Sequence, residues 1–179
     1  MVACGDADGM VAGNTRHYAA TVDKLMQSIG SRDDEIVFGL CVFVNRGRTI
    51  VIADTNVIEY PTSEELASIA KSSARVAKLL GLDPKIAFLS HSTFGQPETD
   101  RTKRISKAVE MLKDEKVDFL FDGEMQPDVA LNNKYKGTYS FSEIVGSANV
   151  LVMPSIHAAA ISIKMLKELS RGKVFGPLL

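Results

Sequence analysis

The chain has 179 residues, 45% of them hydrophobic and 24% charged, which is the content of one globular domain or a small pair of lobes and excludes disorder, collagen-like repeats and a large multi-domain enzyme. Lys and Arg total 21 against 22 Asp and Glu, a net charge of -1, so no overall basic field exists to hold nucleic acid, and no apolar run approaches the ~18–20 residues of a membrane helix. Cys4 and Cys41 stand far apart without a CxxC companion, so neither a disulfide framework nor a zinc site is expected, and a reducing cytoplasm is the expected location.

Residues Ala7 to Gly13 read as a short strand, after which Asn14 or Thr15 caps a helix carrying Ala19, Val22, Leu25, Met26 and Ile29 on one face and ending at Gly30. Two β-branched, apolar segments, Ile36 to Val44 and Thr49 to Ala53, are joined by Asn45-Arg46-Gly47-Arg48 and predict an antiparallel hairpin. Cys41 lies in its first strand and reads as a core thiol. Pro61-Thr62-Ser63-Glu64-Glu65 opens a helix with a capping box, followed by Leu66, Ile69, Val76, Leu79 and Leu80 at helical spacing and closed by Gly81.

Next come a strand over Lys85 to Leu89, a helix over Thr102 to Lys113, and a strand over Val117 to Phe121. After a polar, turn-rich stretch around Asn132 to Gly137, the chain offers a strand over Asn149 to Met153 and a helix from Ser155 to Leu169, closed by Gly172. Alternating strands and helices of this length predict an α/β fold, a three-layer sandwich with a mostly parallel sheet and an added antiparallel hairpin. The ends, Met1-Val2-Ala3-Cys4-Gly5 and Gly176-Pro177-Leu178-Leu179, read as cut from a longer protein.

In such a sheet ligands bind beyond the carboxyl ends of the strands, so the turns directly after each strand carry the functional expectation. Ser90-His91-Ser92-Thr93-Phe94-Gly95 offers three hydroxyls and an imidazole, which either hold a phosphate or carbonyl oxygen or simply satisfy the strand end through local turns. Asp122-Gly123-Glu124-Met125-Gln126-Pro127-Asp128 offers three carboxylates, for acid and base roles or as partners of a helix dipole, with Asp122 the leading candidate for a polar role at the loop. Gly13-Asn14-Thr15-Arg16-His17 is either an anion cradle or an ordinary helix start, and Asp54 belongs to a fourth polar cluster or caps its turn. His17, His91 and His157 have no paired spacing, so no metal site is expected.

In order and spacing these loops are similar to those of the phosphate acetyl/butyryltransferase family. The segments concerned are Ala7–Gly13, Ala53-Asp54-Thr55 with Pro61–Ala67, Ala87–Gly95, Asp122–Leu131 and Gly146–Pro154, so that nearly the whole chain takes part. The resemblance implies two α/β lobes with ligands in the cleft between them and acyl transfer between coenzyme A and phosphate. It implies that 1–35 is a strand and helix from an adjoining lobe and that 36–179 is the second lobe, the rest of the first lobe being missing. The transferases carry a Ser-Arg pair and an aspartate for coenzyme A beyond the equivalent of Gly176-Pro177; Ser170-Arg171-Gly172 lies before it and takes no catalytic role.

The same lobe occurs fused behind bacterial NADP-dependent malic enzymes, and His91, Phe94, Asp23, Tyr18 and Arg32-Asp33 resemble that form. Asp23 stands where transferases usually carry an arginine. This resemblance implies a C-terminal module that senses acetyl-CoA and helps assemble a homo-oligomer, with no catalytic residue of its own, while NADP and a divalent metal serve the parent enzyme. The implied partners are acetyl-CoA or a related acyl-CoA and the missing lobe and malic-enzyme region of the same chain, with no nucleic acid or membrane. The implied ligand residues are Thr15, Arg16, Ser90, Ser92, Thr93 and Asp122. The alternatives are an active phosphate acetyltransferase and a purely structural oligomerisation module.

Overall fold

The structure, a computed structural model, describes residues 1–15, 17–31, 35–135 and 137–179. It divides into two compact units, Met1–Ile36 and Val37–Leu179. The first holds a short 3-10 turn at Val2–Cys4 and one helix, α1 (Tyr18–Ser28). The strand predicted over 7–13 does not form, and those residues are irregular. A strand needs a neighbour to satisfy its amides and carbonyls, and among the described residues this unit has none. The N-cap of α1 is His17, with no side-chain cap bond, so the predicted Asn14 or Thr15 cap is displaced toward the helix by two or three residues. Arg16, Arg32 and Asp33 lie outside the described residues.

The second unit is built on one six-stranded sheet: β1 (Leu40–Asn45), β2 (Arg48–Ala53), β3 (Lys85–Leu89), β4 (Leu120–Met125), β5 (Val150–Val152) and β6 (Lys173–Leu178), in the spatial order β4-β3-β5-β2-β1-β6. The pairs β4–β3, β3–β5 and β5–β2 are parallel, and β2–β1 and β1–β6 are antiparallel. The mostly parallel α/β sandwich with an antiparallel hairpin is therefore as the sequence predicts. The hairpin turn places Arg46 at φ 49 and Gly47 at φ 75, the two positive values that keep the right-handed twist of the flanking strands continuous. The edge strand β6, which the sequence reading does not include, pairs with β1.

Helices α2 (Ser63–Leu79) and α3 (Asp100–Glu115) pack against each other and against the sheet. Leu66, Ile69, Ala70, Ile105 and Leu112 are buried there. The strand residues of alternate parity, Phe43, Ile50, Ile52, Ala87, Leu89 and Leu151, with Met153 just beyond β5, form a second core with Ala130 of the short α4 (Pro127–Leu131) and Ala159 of α5 (Ile156–Leu169). Two buried faces on one sheet explain why its central strands read as unbroken apolar runs. No helix of the described residues is long and apolar enough to cross a membrane.

Helix starts follow local chemistry. Thr62 accepts the Glu65 amide at 3.2 Å while the Glu65 carboxylate accepts the Thr62 amide at 2.7 Å, the predicted capping box. Thr99 and Thr102 repeat the arrangement at α3, which therefore begins two residues earlier than predicted. The largest boundary correction is β4. It runs from Leu120 to Met125, so Asp122, Gly123 and Glu124 belong to the strand and not to a loop after it. Pairing with β3 carries the strand through these polar residues. Gly123 permits this because its φ of 151 suits glycine, and a Cβ there would stand 2.8 Å from both Cβ and the carbonyl oxygen of Phe88.

Candidate functional site

The carboxyl ends of β3 and β5 open on a cavity of about 590 Å³, within the range of ~300–1,000 Å³ usual for small-molecule sites. Ser90 and His91 from the end of β3, Pro154 and Ser155 from the end of β5, and Arg101 and Arg104 from α3 supply its polar wall. Leu89, Ile105, Met153 and Ala158 supply apolar surface beside them. Residues 101 and 104 share a helix face because a three-residue step nearly completes a turn.

Behind this wall the Ser90–Gly95 loop is tied down by one buried carboxylate. Glu124, only 1% exposed, accepts from the Ser92 hydroxyl at 2.7 Å and the Gly95 amide at 2.6 Å on one oxygen, and from the Ser106 hydroxyl at 2.6 Å on the other. Its backbone carbonyl also accepts the Phe94 amide at 2.8 Å. Burial alone pushes the Glu124 carboxyl up, but the bonds from Ser106, Gly95 and Ser92 together outweigh it and hold the carboxyl below its ordinary value. The group is ionised near neutral pH and joins β4, the loop after β3 and α3.

Of the six residues expected to touch ligand, three hydroxyl-bearing ones share the loop after β3. Ser90 lines the cavity, and its oxygen accepts the Ser92 amide at 3.3 Å. Ser92 is fully buried and donates to Glu124. Thr93 is buried and accepts the Gln126 amide at 3.2 Å. Asp122 sits further down the sheet, opposite Ala87, and accepts the amides of Gly123 and Glu143 at 2.9 Å each. It fastens the segment that returns to β5. Thr15 lies in the first unit, exposed, beside an apolar hollow lined by Met10, Leu25 and Ile29. Arg16 is outside the described residues.

The fourth polar cluster resolves as a turn. Asp54 is buried and accepts the amides of Gly39, Asn56, Val57 and Ile58 at 2.7–3.3 Å, closing the exit from β2. Cys41 is a buried thiol whose ionisation burial pushes up, with the Thr55 hydroxyl contact opposing. Its reading as a core residue stands.

The same fold occurs in known proteins. A family model of phosphate acetyl/butaryl transferase matches residues 1–179. The chain belongs to that family. It is 49% identical over 179 residues to the NADP-dependent malic enzyme of Rhizobium meliloti (strain 1021), covering all of this chain and 24% of that protein. It is 31% identical to the phosphate acetyltransferase of Acetivibrio thermocellus, covering 99% of this chain and 56% of that one. A phosphotransacetylase from Streptococcus pyogenes superposes with a TM-score of 0.91 at 31% identity, covering 99% of this chain and 55% of the other. The chain thus spans a quarter of the malic enzyme and about half of the two transferases it matches.

Sequence patterning missed Arg101, Arg104 and Glu124 as organising residues. The signal for the arginines was their three-residue step just inside the α3 cap, legible only once the helix is begun at Asp100. Glu124 was visible as one of three neighbouring carboxylates, but only strand pairing turns it inward.

Proposed function

We propose that the chain is the phosphotransacetylase-like C-terminal region of an NADP-dependent malic enzyme and that it senses acetyl-CoA without transferring acyl groups. The observation that carries this reading is the identity of 49% over the whole chain to a malic enzyme, against 31% to a phosphate acetyltransferase. Residues 1–35 are then part of an adjoining lobe and 36–179 the second lobe. The parent oxidatively decarboxylates malate with NADP and a divalent metal bound elsewhere in its chain, and works as a homo-oligomer in the cytoplasm. Of the residues proposed for acetyl-CoA, Thr15 and Arg16 belong to the first unit and Ser90 lines the cavity of the second, while Ser92, Thr93 and Asp122 hold the loop and strand around that cavity.

The rim chemistry supports binding over catalysis. The Ser92–Glu124 pair has the elements of a nucleophile and a base, yet it is buried and spent on holding the loop. The cavity presents guanidinium groups instead, which recognise anions. Sensing requires that acetyl-CoA bind two states of the parent unequally, because equal affinity shifts no equilibrium.

The test is a paired assay on the full-length protein. Malate-dependent NADP reduction is expected to change with added acetyl-CoA, and acetyl phosphate plus coenzyme A is expected to yield no acetyl-CoA. Acyl transfer at the rate of a normal transacetylase would replace this reading with that of an active phosphate acetyltransferase. Absence of both acetyl-CoA binding and any change in malate turnover would leave a structural oligomerisation module.

A further inference from the structure

We propose that Arg101 and Arg104 form a subsite for the phosphate of a phosphorylated organic ligand, whose remaining body lies on the apolar wall of the same cavity. For the identity of the molecule this rests on the acetyl-CoA reading; for the phosphate chemistry it rests on the cavity alone.

The first observation is charge without a counter-charge. Among the described residues neither guanidinium pairs with a carboxylate, whereas two lysines on the same helix do. Lys103 meets Glu98 at 2.7 Å and Lys107 meets Glu64 at 3.4 Å. Pairing is thus available along α3 and the two arginines are left out of it. The second observation is an unused donor. One terminal nitrogen of Arg104 donates to the Pro154 carbonyl at 2.9 Å, which fixes the side chain against the end of β5, while its Nε–H is buried with no partner. A buried donor left unmade is costly, and a guanidinium carries five donors in a planar fork shaped for phosphate oxygens. Burial, and after it the charge of Arg101, depress the Arg104 ionisation.

The third observation selects an organic phosphate over the free ion. Leu89, Ile105, Met153 and Ala158 flank the arginines within the same 590 Å³, so carbon surface lies next to the cationic end. Inorganic phosphate would use the arginines and leave this wall wet. An amphipathic ligand with a phosphate at one end satisfies both.

Calorimetric titration of the full-length protein with coenzyme A and, separately, with inorganic phosphate tests the assignment, using wild type, Arg101→Ser and Arg104→Lys. Arg101 is exposed, so Arg101→Ser is expected to fold normally, checked by its thermal midpoint. Coenzyme A is expected to bind wild type at least tenfold more tightly than inorganic phosphate. Loss of one charge-assisted bond is expected to weaken coenzyme A by roughly 10-fold or more in Arg101→Ser. Arg104→Lys keeps the charge but lacks the fork, and is expected to weaken it also. Unchanged affinity in Arg101→Ser, failure of both probes to bind wild type, or equal affinity for the two probes would each overturn the proposal. If Arg101→Ser weakens coenzyme A while acetyl-CoA leaves malate turnover unaffected, the sensing reading fails and the subsite stands. If acetyl-CoA still shifts turnover at unaltered concentrations in Arg101→Ser, the subsite fails and sensing stands.

Discussion

Glu124→Gln removes the charge of the carboxylate that ties the strand-end loop while keeping its shape. Three bonds converge on the carboxylate, at 2.7, 2.6 and 2.6 Å from Ser92, Gly95 and Ser106. Hydrogen bonds to a charged group contribute about 1.5–3 kcal/mol and neutral ones about 0.5–1.5, so each bond loses about 1 kcal/mol. One of the three must also reverse direction. Ser106 can do this by accepting from the new amide, since its hydroxyl also donates to the Thr102 carbonyl at 3.2 Å. The expected loss is about 3 kcal/mol in urea unfolding followed by circular dichroism. For a chain of this size that lowers Tm by roughly 6–12 °C.

The pH dependence sharpens the test. Because the folded Glu124 carboxyl is held below its ordinary value, its contribution is fully present above the ordinary carboxylate range and is lost as pH falls through the folded value. Glutamine has no such titration. The difference between wild type and Glu124→Gln is therefore largest near neutral pH and shrinks through the acid range. A difference below about 0.5 kcal/mol at neutral pH, or one that does not change on acidification, would refute the view that ionised Glu124 holds the loop.

Two further substitutions probe the scaffold around the rim. Asp54→Ala strips the acceptor from four backbone amides at the exit of β2 and is expected to cost about 2–4 kcal/mol, less where water replaces the carboxylate at the half-buried amides; chemical denaturation measures it, and Asp54→Asn should recover part of the loss. Thr62→Ala opens the capping box of α2 and is expected to cost about 1 kcal/mol, with Thr62→Ser near wild type in the same assay.

Much of the fold was legible in the linear chain. The hairpin at 45–48 was carried by turn chemistry, the start of α2 by Thr62 and Glu65, and β3 and β5 by short apolar runs. These signals act over a few residues and need no distant partner. The reading of 7–13 as a strand failed for the complementary reason, because an extended segment becomes a strand only beside another. The boundary of β4 failed likewise, since Asp122 and Glu124 look like loop residues until β3 supplies bonding partners on one side.

The candidate site divides the same way. Residue order alone determined that polar turns would gather at the carboxyl rim of a parallel sheet and that the whole chain follows one family pattern, because strand-helix alternation and motif spacing are properties of the linear chain. Whether a given serine or carboxylate faces ligand or core depends on what packs against it. Only the folded molecule turned Glu124 inward, spent Ser92 on holding it, and brought Arg101 and Arg104 of one helix to the ends of two strands distant in sequence, because burial and convergence arise when separate segments close on one another.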